Sequence, residues 1–145
     1  MCLIYIRPTN FKPDEVVTTY KAMWQKDEQH FVAEYADRTY KTNKWYHANF
    51  LGSWYSRLGR IEYKEGFHAW KNLEDAQKYV SFHGLKDYII IVEVQLRRIR
   101  LVGKHKDHPE QNVYVADEMK IIKALENTDE PSDALTPVHA NRIKY

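Results

Sequence analysis

A single cysteine, Cys2, stands in a chain of 145 residues, so no disulfide framework can hold the fold together. One free thiol suits a reducing cytosol, which places the chain as a cytoplasmic protein. Glycine and proline are scarce, at five each, and no internal repeat is present. No stretch reaches the apolar length needed to span a bilayer. The opening MCLIYIRP is interrupted by Arg7 and Pro8 too early for a signal peptide. Charge of one sign is also missing. Against 22 basic residues stand 20 acidic ones, a formal net charge of +2, so no strong overall field calls for a nucleic acid or a membrane.

What is abundant is aromatic side chain, 14% of the residues, with 11 Tyr and 4 Trp. Rings of this kind fill cores, but a tyrosine keeps its hydroxyl near water or a partner. Five of them, Trp45, Tyr46, Phe50, Trp54 and Tyr55, crowd into eleven positions with no clean period. An aromatic loop of that length in a small domain points to recognition. Trp45, Tyr46, Trp54 and Tyr55, with Trp70 further on, are therefore the candidate ligand-binding residues.

The periodicity predicts an α+β domain over residues 1–126, with a mixed, mostly antiparallel sheet, and the composition a flexible or loosely docked polar tail over 127–145. Leu3 to Ile6 reads as a first strand. Pro13 suits a first helical turn, and Val16, Tyr20 and Trp24 recur at helical spacing, followed by Phe31 and Tyr35. One long amphipathic helix is expected over 13–36, with a weak point near Lys26–Gln29. Residues 37–60 read as irregular, with a short helix around 48–57. Short strands follow at 61–63 and 67–70, then a helix from Asn72 to about His83, closed by Gly84. DYIIIVEVQL (87–96) reads as a central strand, with further strand signal at 99–102 and 113–115. Residues 119–125 fit a strand or a helical turn.

Four local patterns bear on chemistry. In GFHAW, His68 alternates with Phe67 and Ala69, so it faces away from both and meets either a ligand or a backbone carbonyl. HKDHPE (105–110) offers two histidines and an aspartate without a third distant ligand, which reads as a polar turn and not as a metal site. RRIR, with Lys104 beyond it, is the one basic run; Arg97, Arg98, Arg100 and Lys104 are candidates for a phosphate backbone. A strand edge guarded by positive charge accounts for the same run, and the near-neutral total favours that account.

From GFHAW through KNLEDAQKYV, YIIIVEV and NVYVADEMKII, the chain resembles small phage-encoded proteins. These carry a Gly-Phe-His-Ala segment, a short helix, a Val-Glu-Val strand and a closing Ala-x-x-Met/Ile-Lys-Ile strand. More distantly it is similar to the ADP-ribosyltransferase fold, over roughly residues 61–125. That resemblance implies NAD as the cofactor and four functional residues. His68 would stack on nicotinamide, Arg7 would end the first strand, and Glu110, or Gln111 after a one-residue shift, would orient the ribose hydroxyl. The chain departs from the family at two places. RPTNF stands where the fold carries His-Gly-Thr or Arg-Gly, and no Ser-Thr-Ser follows the middle strand. The expectation is therefore a phage-type accessory protein, with an anti-defence or host-modulating role, that binds a host macromolecule or a nucleotide-derived ligand without catalysis. The alternative is a transferase-like, NAD-using enzyme.

Overall fold

The segment VTTYKAMWQKD has the spacing of a helix and forms a strand instead. In the computed structural model, which describes residues 3–33, 38–48, 54–55, 63–64, 66–82 and 89–125, Val17–Asp27 is β2 and His30–Ala33 is β3. The two make an antiparallel hairpin in which Trp24 lies opposite Val32. The expected helix over 13–36 is thus corrected, and the α+β class with it: the fold is mostly antiparallel β, with a single helix among the described residues. The reason is arithmetic. A spacing of four puts residues on one side of a helix, but four is also even, so Val16, Tyr20 and Trp24 share one face of a strand equally well. The β-branched run Val16, Val17, Thr18, Thr19 then tips the balance toward extended backbone. The chain reverses at the expected weak point, where Asp27 Oδ1 accepts from the Gln29 N–H at 2.9 Å.

The other strands are β1 (Leu3–Pro8), β4 (Thr39–Lys41), β5 (Trp45–His47), β6 (Trp54–Tyr55), β7 (Tyr63–Lys64), β8 (Phe67–Trp70), β9 (Ile90–His105) and β10 (Asn112–Leu125). The helix α1 spans Leu73–Phe82, close to its expected position, with the Asn72 carbonyl accepting from the Asp75 and Ala76 N–H groups. Apart from the small β6–β7 pair, the strands form one eight-stranded sheet. The former short-helix region at 48–57 contributes β6; its other positions beyond Ala48, like Gly84 and the tail 127–145, lie outside the described residues.

The hairpin of β9 and β10 is the spine. β10 runs along one edge of β9, while β2 and then β1 share the other, against Ile90–Leu96 and Leu101–His105 respectively. The outer edge of β10 carries β8 and then β5. Tyr20 of β2 pairs with Trp70 of β8, so β2, β9, β10 and β8 close on themselves. Alternation along the strands then separates an inside from an outside. Met23, Phe31, Phe67, Val92, Val94, Leu96, Met119 and Ile121 fill the inside. On the outside, α1 lies over the β8–β2 seam and buries Ala22, Trp70, Ala76, Tyr79, Ile91 and Val113. The expected central strand at 87–96 is interior from Ile90 onward; Asp87 and Tyr88 lie outside the described residues.

No helix among the described residues is long and apolar enough to cross a membrane.

Candidate ligand-binding face

Cross-strand partners point the same way, so the register of β10 builds a site directly. Lys120 lies opposite Trp45 on β5 and Gln95 on β9, and Gln95 lies opposite Thr18 on β2. One step along, Glu118 lies opposite His47 and Arg97. Because Met119 and Ile121 point inward, these side chains stand on the outside, away from the seam that α1 covers.

The centre of the face is Trp45. The Arg97 guanidinium carbon sits 3.9 Å from the centroid of its ring and the Lys120 ammonium 5.1 Å. Glu118 holds the arginines in place. It accepts from Arg97 Nε at 2.6 Å, meets His47 Nδ1 at 3.3 Å, and lies 3.7 Å from Arg98 Nε. Its partial burial pushes the carboxyl up, but the hydrogen bonds from Arg97 and His47 and the nearby arginine charges outweigh this and hold it below the usual range.

Two consecutive arginines reach one carboxylate because the strand is irregular there. Arg98 has φ of 57°, which breaks the alternation. The irregularity falls in the gap where β2 has ended at Leu96 and β1 has not yet begun at Leu101. Thr9 covers part of that gap, its N–H bonding the Arg100 carbonyl at 3.1 Å and its hydroxyl the Ile99 carbonyl at 2.7 Å. The basic run is therefore not a guarded outer edge of the sheet; it sits between two strands that share one side of β9.

The β4–β5 connection carries a second group of cations and rings, on the other side of β5 from Trp45, because Tyr46 lies opposite the inward Met119. Asn43, at φ 61°, turns the chain, and its N–H bonds the Ile121 carbonyl at 2.8 Å. Beyond it Lys44 lies 5.2 Å from the Tyr46 ring, and Arg38 lies 5.1 Å from Tyr40 and 5.8 Å from Tyr46. Tyr40, Trp45 and Tyr46 each carry cation–ring contacts with described residues.

The residues implied by the transferase resemblance do not assemble. Arg7 is exposed on β1 opposite Val102, in a row that continues through Tyr114 to Ala69. Three strand spacings, about 14 Å, separate it from β8 and His68. Glu110 is exposed in the turn between β9 and β10. Gln111 is buried, its Oε1 accepting from Trp70 Nε1 at 2.9 Å. His68 is 5% exposed; its Nδ1 donates to the Gly66 carbonyl at 3.0 Å, and Lys21 Nζ donates to the His68 carbonyl at 2.7 Å. Burial, reinforced by the Lys21 and Arg100 charges, pulls the imidazole down to about 3, so it is neutral at ordinary pH.

The other candidates divide. Trp45 is half-buried at the face, Tyr46 is half-buried on the inner side against the core, Trp70 lies in the core beneath α1, and the side chains of Trp54 and Tyr55 lie outside the described residues. Arg97 and Arg98 belong to the face. Arg100 instead pairs with Asp117 and passes over Gly66, where an added Cβ would meet the Ala116 carbonyl at 2.7 Å. Lys104 donates to Asn112 Oδ1 at 2.7 Å. His105 and His108 pack against Tyr79, and the Asp107 N–H donates to His105 Nδ1 at 3.1 Å, which engages that lone pair. No cluster of metal-binding type occurs among the described residues.

Sequence reasoning missed His47, Glu118 and Lys120. The alternation of Glu118 and Lys120 with Met119 and Ile121 was the available signal, since it is the pattern of a half-exposed strand. Comparison of the chain with family models, curated proteins and solved structures finds no match.

Proposed function

We propose that this chain is a non-catalytic binding protein, of the phage-type accessory class, whose recognition surface is the outer face around Trp45. Its ligand is nucleotide-derived, combining an anionic group with a planar ring. The observation that carries this reading is the guanidinium of Arg97 laid 3.9 Å over Trp45 beside Lys120. A guanidinium held flat on an indole offers a stacking plane to a base, and the neighbouring cations offer charge to phosphate. Glu118 limits the freedom of both arginines before a ligand arrives, which lowers the ordering cost of binding. A role in modulating a bacterial host fits a small binding module of this kind.

The scatter of Arg7, His68 and Glu110 over β1, β8 and the β9–β10 turn supports the non-catalytic reading, since an acid, a base and a ribose would have to meet at one place. Calorimetry with NAD and with AMP tests the binding, alongside mass spectrometry of the protein and a host lysate incubated with NAD. Binding that Trp45→Ala abolishes, with no mass gain of ADP-ribose, is expected. Heatless titrations with both nucleotides and with longer nucleic acid, or a transferred ADP-ribose, would overturn the reading.

A further inference from the structure

The face around Trp45 combines half-buried side chains with the exposed Thr18, His47 and Arg98. Its side chains stand in parallel rows, Thr18–Gln95–Lys120–Trp45 and Arg97–Glu118–His47, across β2, β9, β10 and β5. The longer row crosses three strand spacings, about 14 Å. A single nucleotide is best held where groups converge on it from several sides of a cleft. Here the cations project side by side from one side of a sheet, an arrangement that suits an extended polyanion lying across the strands.

Charge is concentrated in the same place. Arg97, Arg98 and Lys120 face one carboxylate, Glu118, so this small patch alone carries an excess of two cations, as large as that of the whole chain. A guanidinium supported by a ring can stack an unpaired base, whereas the bases of a duplex are stacked on one another already.

Resting on the function proposed above, we infer that the ligand of this face is single-stranded nucleic acid. Its phosphates track along Arg98, Arg97 and Lys120, and one base stacks on the Arg97 guanidinium that the Trp45 ring supports. An acidic protein segment would satisfy the cations and leave the stacking plane without a role, so nucleic acid accounts for more of the surface.

Fluorescence anisotropy with a labelled oligothymidylate of about 12 nucleotides tests this, repeated over a range of salt concentrations. The expected logarithmic salt slope is about −2, from three cations at roughly 0.7 each. Trp45→Ala should weaken binding about 5- to 150-fold, while Trp45→Phe retains most of it. Lys120→Ala should reduce the slope by about 0.7. Circular dichroism of each variant separates lost binding from lost folding. If the oligonucleotide fails to bind while AMP or NAD binds in a Trp45-dependent way, the polymer ligand is overturned and the nucleotide reading stands. If none of them binds, both fall. Oligonucleotide binding that ignores Trp45→Ala, or that polyglutamate displaces as well as unlabelled oligonucleotide does, also overturns the inference.

Discussion

Arg97 spans two partners: its guanidinium covers the Trp45 ring at 3.9 Å while its Nε bonds Glu118 at 2.6 Å. One planar cation thus ties β5 to β10 from its position on β9. Lysine at position 97 would keep the charge, but it lacks the flat surface for the indole and the fixed direction for the carboxylate. A double-mutant cycle of Trp45→Ala and Arg97→Ala, followed by chemical denaturation, should show a coupling of about 0.5–1 kcal/mol. Strict additivity of the two changes would mean that the stacking contributes nothing to stability.

Acid should act on the face through Glu118. Its folded-state carboxyl lies below the ordinary value of 4.5, so its contribution is present above that pH and is lost as pH falls through the folded value. Glu118→Gln should cost about 1 kcal/mol near neutral pH, within the range for a hydrogen bond to a charged group at a partly exposed site. The gap between the wild type and this variant should close on acidification. A constant gap down to pH 2 would contradict the ion-pair account.

His68 should be felt over a higher window. The unfolded chain takes up the imidazole proton near pH 6.5, while the folded chain resists it down to about 3. The unfolded state therefore binds more protons between these values, and stability falls as pH is lowered through the window, by up to about 1.4 kcal/mol per pH unit. His68→Gln should flatten the profile of unfolding free energy against pH in that range by about one proton. An unchanged slope would show that His68 protonates freely in the fold.

The Gln111–Trp70 hydrogen bond has a structural role that can be measured. Gln111→Leu removes the acceptor and leaves the buried Trp70 Nε1–H without it, at an expected cost of about 1–3 kcal/mol in urea unfolding. The same variant should leave ligand binding at Trp45 unchanged, because Trp70 lies beneath α1 on another part of the molecule.

What could be read from residues alone was local. Leu73–Phe82 forms a helix where the Asn72 cap and the apolar spacing place one. The apolar run from Ile89 forms an interior strand, as four successive apolar residues predict. The basic run and the cluster of rings both stood out by composition. Tertiary structure decided the remainder. The spacing of Val16, Tyr20 and Trp24 satisfies helix and strand alike, and pairing with β9 and β3 settles it, because β2 gains backbone partners on both sides there. Net charge hid the cationic face, since a sum over the chain says nothing of which charges become neighbours. Trp45 and Arg97 are 52 positions apart in the sequence and meet only because β5 and β9 flank the same stretch of β10. That register depends on the inward fit of Met119 and Ile121, a condition no short segment contains.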